Sequence, residues 1–388
     1  MQTITQVSPL HLQRLLGPGR GERVSIYMPV HPQAADGAQD IIRLKNLIRS
    51  AKETLLDLGW SRRDADMLLQ EATDLLEDGL FWRQGGDGIA LFASLQEGLV
   101  FRLPYAFEEF VSVGQTFHIK PLLPLLADDL RFSLLALSLS HVRLLQGDRW
   151  TVRDVTPPDI PTSLAEAQQH LVLEKASLVH SAGPPRGGGV QRSAQYHGHG
   201  ATERDDKTRI LEFFRLVDAG IRNRLYAHAA PLVLAGVDHL RHAFRDVCSY
   251  RNLMDEGVEG SPDGQPLAAL HSSALRIMES RVDEIRDEAA QRVEDRLGTG
   301  LASAELREIL AAAHFGRVDT LFIARDEHVW GRFDPLSGEM ETASEPSPGL
   351  EDLLDRAAID SLSRRGRVFA VASGDVPGGS SAAALFRY

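Results

Sequence analysis

Short apolar runs of strand length alternate with stretches whose apolar residues recur every three or four positions, and this alternation constrains the chain to the α/β class. The clearest instance is central. Ile210, Phe214, Val217, Ile221 and Leu225 lie along one helical face. Residues 231–237, Pro-Leu-Val-Leu-Ala-Gly-Val, follow as a buried strand, and 238–248 as a short helix. Thr202 followed by Asp205 resembles a helix-start cap for the first of these helices.

The same reading extends to both sides. Residues 24–30 form a β-rich run closed by Pro29 and Pro32, and Ile41, Leu44, Ile48, Leu55 and Leu58 mark a helix over 40–58 that Gly59 stops. A second helix covers 62–76. Strands at 89–93 and 99–103 follow the turn Gly85-Gly86-Asp87-Gly88, and the region closes near 121–129. Strands are expected at 131–140, 141–145 and 151–155, then a loop from 180 to 201 rich in glycine and proline. Beyond the turn at 260–264, Met278, Val282, Ile285, Ala289, Val293 and Leu297 mark a long helix, with Glu288 four positions before Arg292 as a supporting pair. A helix at 303–313, strands at 318–324 and 329–333, a helix at 350–363 and strands at 367–372 and 382–388 complete the pattern. No internal repeat of fixed period is visible.

At roughly 150 residues per domain, 388 residues suggest two or three domains. Lys and Arg number 42 against 54 Asp and Glu, a net charge of −12. Such a chain does not coat nucleic acid with its whole surface, so any contact of that kind is local. The apolar share of 43% and charged share of 25% are those of a soluble globular protein. Cys248 is the single cysteine, which excludes an internal disulfide and a cysteine-rich zinc site and fits a reducing compartment. The first twenty residues carry no secretory pattern, and no apolar stretch approaches the ~20 residues that span a bilayer. A cytoplasmic protein without membrane partners is expected.

The segments "HFGRVDTLFIAR" and "GRVFAVASGDVPGGSSAAALFRY" resemble the carboxy-terminal domain of the archaeal and eukaryotic peptide-chain release factors and of Pelota. "LLALSLSHVRLLQGD", a glycine-rich loop, a helix and "PLVLAGVDHLRHAF" resemble their middle domain, and the series runs in order over roughly residues 130–388. The bacterial branch of that superfamily fits best. The resemblance implies an α/β protein of three domains: an N-terminal α/β domain (1–128), a middle release-factor-like domain of ribonuclease-H-like fold (129–260), and a C-terminal α/β/α domain resembling ribosomal protein L7Ae (261–388). It also implies entry into the ribosomal A site, with the middle-domain loop directed at the peptidyl-transferase centre. The partners would be the ribosome or tRNA, with a protein partner at the C-terminal domain, and no cofactor is called for.

True release factors carry Gly-Gly-Gln in that loop. Here Gly187, Gly188 and Gly189 are followed by Val190 before Gln191. One inserted residue displaces the tip by up to ~3.5 Å, and ester hydrolysis needs an amide and a water within hydrogen-bond reach of the carbonyl. The loop therefore points to a Pelota-like factor that occupies ribosomes without hydrolysis. A peptidyl-tRNA hydrolase acting through residues 187–200, with Gln191 as its catalytic residue, is the alternative, and a protein-interaction module that never touches RNA is another. The RNA-contacting candidates are Arg186, Gly187, Gly188, Gly189, Arg192, His197 and His199, since cationic side chains and glycine backbone both approach phosphate. Arg204 and Lys207 add charge. Glu203, Asp205 and Asp206 partly neutralise the helix start. The competing interpretation is a plain surface connector.

Other constellations read as structural. His197 and His199 lack a third metal ligand nearby, so no metal site is assigned. Ser138, His141 and Asp148 lack the turn motif of a nucleophilic serine and read as core or turn residues. Asp128, Asp129, Asp148 and Asp154 could form a carboxylate cluster for cations, but Asp128 and Asp129 read better as a junction. Gly85–Gly88 lacks the lysine of a phosphate-binding loop, and Cys248 reads as packing.

Overall fold

The structure, a computed structural model, describes residues 3–4, 9–17, 19, 21–31, 37–127, 130–169 and 199–388. It divides into two compact units, one made of Met1–Asp128 with Glu284–Tyr388, the other of Asp129–Asp283. The expected mixed α/β class is borne out in both.

In the first unit, Thr3–Ile4 (β1), Arg23–Pro29 (β2), Gly88–Ala93 (β3), Gly98–Leu103 (β4) and Phe110–Gly114 (β5) form a sheet in the order β1-β4-β3-β2-β5. The sheet is antiparallel except that β1 runs parallel to β4. Its two faces enter different cores. Val24, Ile26 and Met28 pack with Ile89 and Leu91 against Leu44, Leu55 and Leu68 of helices Gly37–Asp57 and Arg62–Asp74. Tyr27, Ala90, Phe92 and Phe101 alternate to the other face, into a core that also holds Leu310, Leu321 and Leu354. Because both faces are buried, the strands read as continuous apolar runs rather than as alternating ones. Each fully buried large apolar side chain stabilises the fold by roughly 1.5–3 kcal/mol.

In the second unit, Phe132–Ala136 (β6), Arg143–Gly147 (β7) and Val152–Asp154 (β8) make an antiparallel meander. Leu232–Gly236 (β9) adds parallel to β6, and Leu253–Glu259 (β10) parallel to β9, giving the order β10-β9-β6-β7-β8. Helix His199–His228 lays Phe213, Phe214, Val217, Ile221 and Leu225 on Leu135, Leu232 and Leu234. Helix Leu267–Glu294 covers Leu134, Val233 and Ala235 with Leu270, Ala274 and Met278.

The remainder of the first unit holds Ala302–Ser303 (β11), Val318–Ala324 (β12), Trp330–Phe333 (β13), Met340–Ala343 (β14), Glu351–Asp352 (β15), Arg367–Val371 (β16) and Ala382–Phe386 (β17). One sheet runs β11-β17-β12-β16, and a smaller one β14-β13-β15. Helices Leu306–His314 and Leu353–Ser363 pack on the larger sheet through Ile309, Leu310, Leu354 and Ala358.

Several elements depart from expectation. Strand β10 was hidden because only Val258 of Leu253–Glu259 is buried, and Asp255, Glu256 and Glu259 face solvent on a sheet edge. With one apolar anchor there is no period of two to read. Strand β5, with Val113 alone buried, and strand β14, with no buried residue, show no such period either. The long helix begins at Leu267, ahead of Met278, through the small residues Ala268, Ala269 and Ala274. Helix His199–His228 already includes Thr202, so the Thr202–Asp205 pair is not its cap. Ala201 and Glu203 favour helix and carry it upstream. Arg292 bonds the backbone carbonyl of Glu288 rather than forming the expected carboxylate pair. Among the described residues no helix is long and apolar enough to cross a membrane.

Candidate functional site

Arg186, Gly187, Gly188, Gly189, Gln191, Arg192 and His197 lie outside the described residues, as do Asp128 and Asp129. His199 is the first residue of its helix, and its side chain also lies outside them. What the structure describes is the helix that follows that segment in the chain. Five apolar side chains of helix His199–His228 are fully buried. Asp218 of the same helix accepts from the Ser249 backbone N–H at 3.0 Å and from its hydroxyl at 2.8 Å.

The Ser138, His141 and Asp148 constellation does not assemble as a nucleophilic site. The Ser138 hydroxyl donates to Asp263 at 2.7 Å, Ser140 donates to the same oxygen at 2.7 Å, and Ser138 Oγ accepts from the backbone N–H of His141 at 3.1 Å. The bond from Ser140 holds the Asp263 carboxyl below the usual carboxylate range. Asp148 caps a turn by accepting from the N–H groups of Trp150 and Thr151 at 2.7 and 2.8 Å, and Asp154 does the same for Thr156. Ser138 and Asp148 thus hold the kind of core or turn role expected of them, and Asp154 holds a further turn. Gly85–Gly88 is a turn into β3, and Cys248 is partly buried against the core, where burial pushes its thiol up.

Among the described residues, the densest group of buried charges lies in the first unit and joins residues far apart in sequence. The stretch after β5 carries His118, Ile119 and Lys120. His328 stands just before β13, and Asp352 ends β15 and caps helix Leu353–Ser363 by accepting from Leu354 N–H at 3.1 Å. Asp355 follows in the first turn. Its Oδ1 accepts from the N–H groups of Ile119 and Lys120 at 2.9 and 2.6 Å. The Lys120 ammonium donates to Asp352 Oδ2 at 2.6 Å, and also to the Glu327 carbonyl. Both members of that ion pair are buried, with side-chain exposures of 1% and 0%. His328 Nδ1 lies 2.8 Å from Asp352 Oδ2 and 3.2 Å from Lys120 Nζ, so this one nitrogen either donates to the carboxylate or accepts from the ammonium.

His118 is fixed on three sides. Its N–H donates to Ser25 Oγ at 2.9 Å, its carbonyl accepts from Tyr27 OH at 2.6 Å, and its Nδ1 lies 3.5 Å from Asp355 Oδ2. Its Nε2 is buried and has no partner. Burial lowers His118 to about 3, with Lys120 and His328 adding to the effect and Asp352 opposing it. Burial alone would raise Asp352, but the bond to His328 and the charge of Lys120 override it and hold the carboxyl well below the usual range. Asp355 moves the other way, pushed up by burial and by the neighbouring Asp352.

Lys120 and His328 also line a cavity of about 270 Å³, together with Tyr105, Phe107, Phe110 and Arg325. The ring of His328 stacks on Phe110 and Trp330, with centroid separations of 5.3 and 5.1 Å. One ligand atom each from His118, His328 and Asp352 lies within 4.8 Å of the other two. No local pattern in the sequence signals this group. The one available clue was a lysine followed by Pro-Leu-Leu-Pro-Leu-Leu, an apolar run that buries its neighbour.

Residues 131–317 match the family model described as Bacterial archaeo-eukaryotic release factor family 3. That segment, just under half of the chain, is similar to the family. The resemblance to the bacterial branch of the release-factor and Pelota superfamily is thereby borne out, and the chain is release-factor-like. Among solved structures, an archaeal translation termination factor, aRF1, is 16% identical and covers 100% of this chain and 99% of its own, with a TM-score of 0.25. A structure of ribosome-bound archaeal Pelota and ABCE1 gives 13% identity over 99% and 95%, with a TM-score of 0.41. Dom34 of S. cerevisiae, described as a translation termination-like factor interacting with Hbs1, gives 12% over 75% and 73%, with a TM-score of 0.36. No curated protein matches the chain significantly.

Proposed function

We propose that this chain is a ribosome- or tRNA-associated factor of translation termination, rescue or control that acts in the Pelota manner, without hydrolysing peptidyl-tRNA. The family match over residues 131–317 is the observation that carries the reading. In it the chain is a cytoplasmic protein of three parts, 1–128, 129–260 and 261–388. The order β10-β9-β6-β7-β8, a meander extended by two parallel strands, supports a ribonuclease-H-like middle part. The four-stranded β11-β17-β12-β16 sheet with its packed helices supports an L7Ae-like C-terminal part, which would take a protein partner.

The RNA-facing element is the segment 180–201, with Arg186, Gly187, Gly188, Gly189, Arg192, His197 and His199 at phosphate or base. Val190 between Gly189 and Gln191 is what separates this loop from a hydrolytic one. The test is sedimentation with ribosomes through a sucrose gradient, followed by incubation of the same mixture with peptidyl-tRNA. Co-sedimentation without peptide release is expected. Release that disappears in Gln191→Ala would make the protein a hydrolase instead. A protein that stays at the top of the gradient would leave only the protein-interaction reading.

A further inference from the structure

We propose that His118, His328 and Asp352 form a divalent transition-metal site, selective for zinc-like ions, which the Lys120 ammonium closes in the metal-free protein. Three observations meet here. The first is the donor set. Two imidazoles and one carboxylate, from three separate elements of one unit, bring ligand atoms within 4.8 Å of one another, the composition of sites that keep a fourth position open. The second is the unpartnered nitrogen. Asp355 stands 3.5 Å from His118 Nδ1, as the carboxylate behind a metal-bound histidine does, and leaves Nε2 buried with nothing to bind. A buried polar nitrogen without a partner is a deficit that a metal ion removes.

The third is the occupant. Lys120 Nζ lies 2.6 Å from Asp352 Oδ2 and 3.2 Å from His328 Nδ1, so a cation already sits against two of the three ligands. An ammonium and a metal ion answer the same buried negative charge, and only one fits at a time. Metal binding therefore displaces Lys120, which lines the cavity of about 270 Å³ and has that space to enter. The same cavity gives an ion access from solvent, and His328, with about a third of its side chain exposed, stands at its wall. Beyond coordination only the hydrogen bonds of Lys120 are broken, and His118, His328 and Asp352 each give one lone pair to the ion.

The experiment uses the full, untagged chain, freed of metal by a chelator and titrated with Co²⁺. The expected result is one Co²⁺ per chain with the visible absorption of a four- or five-coordinate ion, lost on adding Zn²⁺, and a rise in thermal midpoint with Zn²⁺. His328→Ala removes the most exposed ligand, so this variant keeps its fold by circular dichroism and loses about 100-fold or more in affinity. A variant with His197→Ala and His199→Ala keeps the site. The proposal is overturned if the wild-type chain takes up no stoichiometric Co²⁺, if folded His328→Ala binds as tightly as wild type, or if binding depends on His197 and His199.

Discussion

Replacing Lys120 by methionine removes one buried charge and leaves its partner. Asp352, 0% exposed at its side chain, would keep the neighbouring His328 ring at 2.8 Å and the N–H groups of Val329 and Leu354 at 3.2 and 3.1 Å. It would lose its only bond to a fixed cation, the 2.6 Å contact with Lys120. Breaking one side of a buried pair costs about 3–5 kcal/mol. Three remaining donors place the loss at the lower end, about 3 kcal/mol. Urea unfolding in the presence of chelator, followed by tryptophan fluorescence, reads this directly, because Trp60, Trp82 and Trp330 of the chain's four tryptophans lie in the same unit. Adding Asp352→Asn, which keeps the helix-capping oxygen, recovers part of the loss in a double-mutant cycle. A Lys120→Met protein within about 0.5 kcal/mol of wild type, the range of surface substitutions, would refute the assignment of this pair as a buried structural charge.

Asp355→Asn unmasks His118. In the folded protein His118 is held at about 3 against an ordinary 6.5, so its contribution is complete above pH 6.5 and is lost as pH falls, by about 1.4 kcal/mol per pH unit. Asp355, raised above its ordinary 3.8, works in the opposite sense and gains stability on acidification. The variant's urea midpoint should therefore fall more steeply between pH 7 and 5 than that of wild type, and equal slopes would contradict the arrangement of His118, Asp355, Asp352, Lys120 and His328. Gly220→Ala puts a Cβ 1.9 Å from Ile160 Cγ2 where helix His199–His228 crosses that residue, and should destabilise the second unit by about 1–3 kcal/mol, read by thermal unfolding. The double variant Arg186→Ala, Arg192→Ala should bind ribosomes more weakly and lower the slope of log affinity against log salt by about two.

The fold was legible where burial imposes a period. The Ile210 to Leu225 stripe, the 231–237 run and the strand at 318–324 are where periodicity and continuous apolarity put them, and the strand expected at 382–388 ends two residues early at Phe386, because a face or both faces must be covered. Edge strands such as Leu253–Glu259, with one buried residue, carry no such signature. The charged group was illegible for a different reason. Lys120 meets Asp352 across 232 positions, and the bond exists only because the first unit folds its early sheet and its later helix around one core. Residue types such as these are common, and spacing says nothing about convergence at that separation. The segment around Gly187 stands at the other extreme, conspicuous in sequence for its glycines and for the Val190 that parts them from Gln191.

The measurement closest to the central claim is the position of the full chain in a sucrose gradient run with and without purified ribosomes at low and moderate salt. The account predicts that the protein moves into the ribosomal fractions, that salt releases it, and that no peptide is freed from peptidyl-tRNA in those fractions. A chain that stays at the top of the gradient under both conditions would contradict it.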